Sequence, residues 1–512
     1  MAVARVACRA QVGLSAPLVH VEVSLASGLP TFSIVGLPAM VVREAKERVR
    51  AALLNSQFEF PAGRITVNLA PADLPKEGGR FDLPIALGLL LASRQLRSAA
   101  CGERAPLLRE YYGELGLTGE LKAVRGLLPA AAEARRAGHE LIVPRANAAE
   151  ACAVAPDLVR AADHLLEVCA HVAGTRTLAA GRLPHAAHMR PPATARARPD
   201  LADVRGQLQA KRALTIAAAG GHSLLMLGPP GCGKSMLAQR LPGLLPPLSA
   251  AEALEVAAIA SVSAAGFRQE SLNERPFRAP HHSSSGPALV GGGARARPGE
   301  ISLAHHGVLF LDELPEFARP VLEALREPLE TGAVSVARAA LTTRYPAQFQ
   351  LVAAMNPCPC GALGDPAGSC RCTPAMVQRY RARVSGPLLD RLDLQIEMPR
   401  VEAREFDAAP GEGAGSAAAA AAVARARELQ CARQGVCNAR LADADVHRWC
   451  WPDESGRRVL EAAMQRLHFS GRARQRVLKV ARTIADLDGR SAIGAREVSE
   501  AVMLRCLDRA AA

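Results

Sequence analysis

One octapeptide restricts the folds open to this 512-residue chain more than any other feature. The sequence Gly-Pro-Pro-Gly-Cys-Gly-Lys-Ser at 228–235 directly follows the apolar segment 224–227 and precedes a helical pattern that continues to Leu241. In this strand–loop–helix context, glycines let backbone N–H groups turn towards phosphate oxygens, and the helix N-terminus adds partial positive charge. Lys234 is predicted to reach the β- and γ-phosphates of a nucleotide, and Ser235 to ligate Mg²⁺. The residues predicted to bind the nucleotide are Gly228, Pro229, Pro230, Gly231, Cys232, Gly233, Lys234 and Ser235.

Two further apolar segments end in polar residues that nucleotide hydrolysis requires. Residues 307–311 run into Asp312 and Glu313, and residues 349–355 end at Asn356. Parallel strands deliver their carboxyl ends to one edge of a sheet. We therefore predict that Asp312 joins the Mg²⁺ shell, Glu313 polarises the attacking water and Asn356 senses the γ-phosphate. Each segment has an alternative interpretation when it is taken separately: Asp312-Glu313 as a helix cap, Asn356-Pro357 as a turn, and the octapeptide as a chance Gly-rich loop. The combination of all three favours nucleotide hydrolysis.

Shifts in composition divide the chain into several parts, and the predicted fold class is α/β. Residues 1–173 alternate strand and helix patterns and are predicted to form an α+β domain. An Arg/Pro/Ala-rich linker follows at 174–199. Residues 200–400, which contain the phosphate loop, are predicted to form a core around a parallel sheet. A low-complexity linker at 401–416 separates this core from a helical domain at 417–512.

The charge balance favours a polyanionic partner without identifying it. The chain has 62 Lys+Arg and 49 Asp+Glu residues, a formal net charge of +13, and 3% aromatic residues. With so few rings for base stacking, a nucleic acid would be held mainly through its phosphates. No apolar run is long enough to span a bilayer, and the N-terminal residues contain no apolar segment of secretory length. We therefore expect a cytoplasmic protein without a membrane partner.

Four of the 13 cysteines form two closely spaced pairs. Cys358 and Cys360 are separated from Cys370 and Cys372 by a loop long enough to return and close a tetrahedral S₄ site, which would suit Zn²⁺. The C-x-C spacing departs from the commoner C-x₂₋₄-C. Four free thiols in a Gly/Pro-rich loop are the alternative, and both interpretations stay open.

These segments together resemble a known ATPase architecture. The phosphate loop, residues 309–313, Asn356 and residues 389–393 are similar to the Walker A, Walker B, sensor 1 and arginine-finger motifs of AAA+ ATPases. More narrowly, five segments resemble the magnesium-chelatase-like ComM/YifB family over the full length of the chain. They are PFRAPHHS at 276–283, LVGGG at 289–293, PGEISLAH at 298–305, NPCPCG at 356–361 and LKVARTIAD at 478–486.

The resemblance implies a catalytic apparatus that is completed between subunits. Arg391 would act as an arginine finger in the site of a neighbouring subunit. Arg472 would be the sensor 2 arginine of a helical lid, although Arg474 and Arg476 are close enough to leave that choice open. The family expectation is a homohexamer that uses ATP and Mg²⁺. From the residues alone, Arg391 has a second interpretation as a structural arginine paired with a neighbouring aspartate.

The first domain resembles the Lon protease domain, a ribosomal S5 domain 2-like fold, at residues 74–87 and 117–126. That family uses a serine nucleophile activated by a lysine. Arg80 stands at the serine position and Leu128 at the lysine position, so we predict a non-catalytic module without peptidase activity. Lys76 and Arg80 are interpreted as solvated surface residues, with DNA contacts as the alternative.

Two basic, Gly-rich segments suggest how DNA would be held. Residues 330–344 alternate like a hairpin, with Thr331-Gly332 as turn residues near the start, and residues 291–297 form the other segment. Related AAA+ helicases project such insertions into the pore of a ring. Ordinary basic surface loops are the alternative. The residues that we predict to grip the backbone of single-stranded or branched DNA are Arg295, Arg297, Arg338 and Arg344.

The resemblance implies an ATP-dependent DNA motor, a helicase or branch-migration enzyme, that extends heteroduplex during homologous recombination of incoming DNA in natural transformation. An ATP-driven remodeller of protein or metal-insertion complexes is the first alternative. An ATP-dependent protease is opposed by the missing serine and lysine. A non-hydrolysing regulatory ring is opposed by Glu313, Asn356 and Arg391. His281 and His282 are interpreted as packing or nucleotide-loop residues rather than metal ligands.

Overall fold

A computed structural model of the chain describes residues 2–97, 108–181, 199–293, 296–338, 341–365, 368, 370–401 and 415–507. The chain divides into two compact units, the first formed by Met1–Thr194 and Ala250–Leu272, and the second by Ala195–Ser249 and Asn273–Ala512. Segment 250–272 thus belongs to the first unit, although its position in the sequence placed it in the predicted core. The first unit also continues beyond 173, because the Gly181 N–H donates to the Val159 carbonyl at 2.8 Å. Most of both predicted linkers, at 182–198 and 402–414, lies outside the described residues.

Strands and helices are numbered in chain order. The strands are β1 (Ala2–Arg9), β2 (Leu18–Ala26), β3 (Thr31–Val35), β4 (Arg64–Ala70), β5 (Arg109–Tyr111), β6 (Glu114–Leu115), β7 (Leu121–Lys122), β8 (Glu140–Pro144), β9 (Val159–Ala162), β10 (Leu224–Leu227), β11 (Phe277–Arg278), β12 (Gly291–Gly292), β13 (Arg297–Pro298), β14 (Val308–Leu311), β15 (Ala333–Arg338), β16 (Leu341–Pro346), β17 (Gln350–Met355) and β18 (Leu394–Glu397). The helices are α1 (Met40–Arg43), α2 (Ala45–Asn55), α3 (Asp82–Ala92), α4 (Leu127–Ala137), α5 (Ala148–Cys152), α6 (Leu165–Val172), α7 (Leu208–Gly220), α8 (Lys234–Leu244), α9 (Ala250–Val262), α10 (Gly286–Val290), α11 (Glu300–Leu303), α12 (Arg319–Glu323), α13 (Arg326–Thr331), α14 (Pro374–Arg381), α15 (Gly386–Leu389), α16 (Ser416–Gln434), α17 (Asp443–Trp449), α18 (Glu454–Leu467), α19 (Gly471–Leu487) and α20 (Ala495–Met503).

A seven-stranded mixed sheet with the strand order β3-β4-β2-β1-β5-β8-β9 forms the centre of the first unit. β2 pairs antiparallel with β1 and with β4, and the remaining neighbours pair in parallel. Burial alternates along β2 and β4, as expected when one face of a sheet packs on a core. α3 is buried along almost its whole length and covers that face through its contacts with β1 and β2.

Arg80 and Lys76 are both buried, which corrects the sequence interpretation of solvated or DNA-contacting residues. Arg80 is 3% exposed, and its guanidinium donates to Gln11 Oε1 at 2.9 Å and to the Arg9 and Arg125 carbonyls. Lys76 is 0% exposed, and its ammonium donates to the Pro71 carbonyl. A buried cation is tolerated where acceptors replace water, and these carbonyl and amide oxygens do so. Neither side chain is accessible to a phosphate backbone.

α9 joins the first unit by packing on α4. The Ser261 carbonyl accepts the Gly126 N–H at 3.0 Å, and the Ser261 hydroxyl donates to Glu150. Glu150 also accepts the N–H of Leu128 at 3.1 Å. These partners are far apart in sequence, so the helical pattern of α9 alone could not indicate which core it would enter.

The second unit contains a five-stranded parallel sheet with the order β11-β14-β17-β10-β18. Every residue of β10, β14 and β17 is buried, as expected for strands covered on both faces. Two short antiparallel hairpins, β12–β13 and β15–β16, accompany this sheet. The predicted α/β class with a parallel core sheet is confirmed.

Helices α16 to α20 form the C-terminal part of the second unit. α16 packs on α7 and α8, and α19 packs on α7 and α20. This region agrees with the helical lid in the predicted fold. Among the described residues, no helix is both long and apolar enough to cross a membrane.

A buried carboxylate, Asp393, connects the parallel sheet to α19. It lies just before β18, accepts the Ser223 N–H at 3.0 Å and forms an ion pair with Arg476 of α19. Burial by itself would raise the pKa of Asp393, but Arg476 and the nearby His222 outweigh burial and hold that pKa well below its ordinary value. The charged form of Asp393 therefore stabilises the folded second unit.

We expect Asp393→Asn to reduce the free energy of unfolding of the second unit by about 3 kcal/mol, because the partly buried Arg476 would lose its counter-charge. Denaturant unfolding followed by the fluorescence of Trp449 and Trp451 measures this loss, since both tryptophans lie in the C-terminal part of that unit. The difference from wild type should shrink as the pH falls below about 4, where the unfolded carboxyl takes up its proton.

The matched control for Asp393→Asn is Glu454→Gln, which removes an exposed ion pair with Arg458 within α18. That loss should stay below about 1 kcal/mol. Equal losses in the two variants would contradict a special role for Asp393.

Candidate nucleotide-binding site

The predicted phosphate loop occupies the carboxyl edge of the parallel sheet. β10 lies between β17 and β18, and the loop leaves it at Gly228 and enters α8 at Lys234. Gly231 and Gly233 have φ values of +79° and +95°, a left-handed conformation that side chains with a Cβ rarely adopt. The glycines therefore allow the sharp turn that places the N-terminus of α8 against the loop.

Lys234 is held inside the loop by three oxygen acceptors. Its ammonium donates to the carbonyls of Gly228 at 2.6 Å and Pro229 at 2.9 Å, and to Asn356 Oδ1 at 3.1 Å. Burial lowers the pKa of Lys234, and the neighbouring Asp312 opposes this shift. The structure thus brings Lys234 and Asn356 together, as the sequence predicted for a cation and an amide that meet the same phosphate.

The structure brings together Ser235 and Asp312, the two residues predicted to ligate Mg²⁺. The Ser235 hydroxyl donates to Asp312 Oδ2 at 2.6 Å, and Asp312 Oδ1 accepts the Glu313 N–H at 2.9 Å. A hydroxyl and a carboxylate beside a phosphate loop offer the hard oxygen ligands that Mg²⁺ prefers. The residues present therefore fit this metal.

Glu313 follows Asp312 at the same edge of the sheet. Its φ is 52°, a left-handed conformation, and its side chain is 51% exposed. Glu313 Oε2 lies 3.0 Å from His282 Nδ1. His282 therefore contacts the predicted catalytic carboxylate, a partner that the sequence interpretation of packing or nucleotide-loop residues did not name. Only the fold reveals the pair, because its members lie on separate segments of the chain.

Arg391 lies at the opposite edge of the sheet from the phosphate loop. β18 and β10 are parallel, and their first residues, Leu394 and Leu224, pair with each other. Arg391 comes just before β18, whereas the phosphate loop comes just after the end of β10. The Arg391 guanidinium pairs with Glu330 and donates to the Pro387 carbonyl at 2.6 Å. Arg391 therefore does not reach the phosphate loop of its own chain.

Arg472 shares a cleft of about 610 Å³ with Arg391 at this amino edge. Of the neighbouring arginines, Arg474 lies over the Trp451 ring at 5.3 Å and Arg476 pairs with Asp393. Arg472 is exposed and has no hydrogen-bond or ion-pair partner within the described part of the chain. These contacts favour Arg472 among the three, and its role as the sensor 2 arginine stays a prediction.

The structure brings the two basic segments together as neighbouring hairpins. Arg297 begins β13, Arg338 ends β15, and Arg344 is an exposed residue of β16, while Arg295 lies outside the described residues. The Tyr345 hydroxyl of β16 donates to the Ala296 carbonyl at 2.9 Å, which links the hairpins.

The predicted turn of the second hairpin was placed wrongly. Gly332, with a φ of 66°, ends α13, and the strands reverse between Arg338 and Leu341. A Thr-Gly pair is suited to a helix C-terminus as well as to a turn, so local chemistry did not separate the two.

The four cysteines converge, as one of the two open interpretations required. Cys358 Sγ lies 3.4 Å from Cys360 Sγ and 3.7 Å from Cys370 Sγ, and the Cys360–Cys370 separation is 3.7 Å. The ligand atoms of all four, Cys372 included, lie within 4.8 Å of one another. They form one thiol cluster.

Comparisons with known proteins cover the whole architecture. Residues 200–406 match the family described as magnesium chelatase, subunit ChlI; residues 21–147 match subunit ChlI of Mg-chelatase, and residues 413–505 its C-terminal region. The chain is 49% identical to the uncharacterized protein YifB of Salmonella typhimurium over 99% of this chain and 98% of that protein. It is 47% identical to the competence protein ComM of Haemophilus influenzae and 48% identical to YifB of Escherichia coli, with the same coverage.

We expect Glu313→Gln to bind nucleoside triphosphate normally and to hydrolyse it at least about 100-fold more slowly, because an amide cannot take a proton from water. Steady-state phosphate release and equilibrium nucleotide binding measure the two effects. Glu316→Gln is the matched control, since Glu316 is a nearby carboxylate that pairs with Arg383. Normal turnover in Glu313→Gln would exclude Glu313 as the base.

Proposed function

Because the chain belongs to the ComM/YifB family of magnesium-chelatase-like AAA+ ATPases, we propose that it is an ATP-dependent DNA motor that works as a homohexameric ring. Its proposed activity is DNA unwinding or branch migration, which promotes homologous recombination of incoming DNA during natural transformation. The observation that carries this proposal is that two linked basic hairpins occur in the same unit as the phosphate loop and its predicted hydrolytic residues. The full-length similarity to the competence protein ComM supports the process.

The chain's own residues account for ATP hydrolysis. Amides of the phosphate loop and the Lys234 ammonium bind the phosphates, and Asn356 fixes the position of Lys234. Ser235 and Asp312 would hold a Mg²⁺ ion, which would supply positive charge to stabilise the phosphates. Glu313, oriented by His282, accepts the proton of the attacking water.

The positions of Arg391 and Arg472 support a ring. Both line a cleft at the amino edge of the sheet, whereas the nucleotide site is at the carboxyl edge. Each arginine therefore needs a second subunit whose phosphate loop faces it. A closed ring supplies this contact to every subunit, and we propose the hexamer that the family resemblance implies.

DNA would be held through its sugar-phosphate backbone. Arg297, Arg338 and Arg344 lie on the two hairpins, and Arg295 falls in the same segment as Arg297. The low aromatic content and the net charge of +13 agree with phosphate contacts rather than base stacking. We further propose a cytoplasmic location, where such a substrate is found, and Zn²⁺ at the thiol cluster.

An ATP-driven remodeller of protein or metal-insertion complexes is the second candidate. The match of all three family models to magnesium-chelatase subunit ChlI favours it. This candidate predicts no stimulation of ATPase activity by DNA. A protease is disfavoured, because the buried Arg80 and Leu128 stand where the related proteases have their nucleophile and base.

We expect single-stranded or branched DNA to stimulate ATP hydrolysis, and the protein to move a synthetic Holliday junction only while it hydrolyses ATP. Phosphate release with and without DNA, and electrophoresis of junction products, measure these activities. Glu313→Gln is the inactive control. If DNA neither stimulates hydrolysis nor is moved, the protein is not a motor, and the remodeller is favoured.

The hairpins are tested in the same assay by Arg344→Ala, with Arg136→Ala as the control because Arg136 is an exposed arginine of the first unit. A salt titration of DNA binding should show a slope smaller by about one for Arg344→Ala and unchanged for the control. Equal slopes in both variants would remove this hairpin from the DNA interface.

We expect Arg391→Ala and Lys234→Ala to be inactive separately and to regain part of the ATPase activity when the two proteins are mixed. In a mixed ring, an intact Lys234 site can face an intact Arg391 from the other variant. ATPase activity measured across mixing ratios, with Lys234→Ala mixed with Glu313→Gln as the control, tests this. Glu313→Gln and Lys234→Ala both disable the loop side of the interface, so that control should stay inactive. A flat, inactive profile for the first mixture would contradict sharing of the site between subunits.

A further inference from the structure

The thiol cluster has the dimensions of a metal site. Four thiolates at about 2.3 Å from a tetrahedral zinc ion lie about 3.8 Å from one another. The Sγ separations of 3.4, 3.7 and 3.7 Å between Cys358, Cys360 and Cys370 are close to that value. A disulfide would need about 2.0 Å. Cys372 completes the set.

The segment that contains the first two cysteines also contacts the nucleotide site. The Asn356 side chain accepts a hydrogen bond from the Lys234 ammonium at 3.1 Å, and only Pro357 lies between Asn356 and Cys358. On the other side of Cys360, Gly361 packs on the phosphate loop. Its φ is +81°, and a Cβ added to it would come within 2.6 Å of Pro230 Cδ. Residues 356–361 thus touch the site at both ends.

Few other contacts fix this segment: Arg381 donates to the Pro357 carbonyl at 3.4 Å, and Arg400 pairs with Asp365. Between β17 and α14, the described residues contain no helix or strand. The Gly361 N–H donates to the Cys358 carbonyl at 3.0 Å, which closes only a local turn. Cys358 is buried, whereas Cys360 is exposed and Cys370 and Cys372 are intermediate. A metal ion held by both cysteine pairs would therefore add a strong restraint on the loop, because the free energy of metal binding also stabilises the folded conformation.

We propose that the four cysteines bind one structural Zn²⁺, and that this ion, through Cys358 and Cys360, holds Asn356 and the phosphate loop in the geometry that binds ATP. The site would take a soft divalent metal in an all-thiolate shell without an open position, so its role is structural. The part that concerns ATP rests on the proposed ATPase function, whereas the metal site is argued from the positions of the four cysteines alone.

The first experiment measures metal in the full-length protein. Elemental analysis should give about one zinc per chain, and X-ray absorption should show a sulfur-only shell. Replacement of zinc by Co²⁺ should give the visible bands of a tetrahedral thiolate site. Less than half a zinc per chain after growth with zinc, or a disulfide found by mass spectrometry after thiol alkylation, would overturn the proposal.

The second experiment links the metal to the nucleotide. Cys370→Ser alters the cluster at a residue outside the segment that touches the phosphate loop, and Cys431→Ser, at an exposed cysteine of α16, is the control. We expect Cys370→Ser to lose zinc and to bind a fluorescent ATP analogue about tenfold more weakly, because small displacements of positioning groups are costly. Cys431→Ser should match wild type in both measurements.

The same test can be made without a substitution by treating wild-type protein with a chelator that prefers zinc to magnesium. Trp fluorescence then checks that the second unit stays folded. Loss of zinc with unchanged nucleotide affinity would overturn the link to the phosphate loop. None of these measurements involves DNA, so failure of the motor proposal and failure of the zinc proposal remain distinguishable.

Discussion

The in-register parallel pairing of β10 with β17 and with β18 is the constraint on which the site depends. Because neighbouring parallel strands end at the same edge, this pairing places Asn356 beside the phosphate loop, and β14 adds Asp312 next to Ser235. The same pairing fixes Arg391 at the amino edge. The residues that would bind a nucleotide therefore lie at one edge of the sheet, and the arginines that would contact the nucleotide of a neighbouring subunit lie at the other edge.

Buried charge recurs in both units, and each case is matched by acceptors or by a counter-charge. Lys234 is held by two carbonyls and an amide, Arg80 by carbonyls and Gln11, and Asp393 by Arg476. Such groups cost several kcal/mol when unpaired, so they define one arrangement of the chain around them. In the nucleotide site this keeps Lys234 in place before a phosphate arrives.

Much of the site could be predicted because its signals are local. The phosphate loop, Asp312 and Asn356 each follow a short apolar strand, and the order of such strands in a parallel sheet does not change which edge their ends reach. The burial of Arg80, the contact of His282 with Glu313 and the attachment of α9 could not be predicted. Each depends on partners that are distant in sequence. The spacing of apolar residues predicts which face of a helix or strand is buried, but not which element packs on it. Gly332 was misassigned for a different reason, since a left-handed glycine is suited both to turns and to helix ends.

The attachment of α9 also affects how the molecule can be divided. The backbone leaves the first unit, starts the second, returns for residues 250–272 and then leaves again. No single cut of the polypeptide separates the two units, and a fragment that begins near residue 200 carries Ala257 and Ile259 without the core that buries Ala257. Neither unit is therefore one uninterrupted stretch of sequence, and a protein that contained only one of them would have to join two separate segments of the chain.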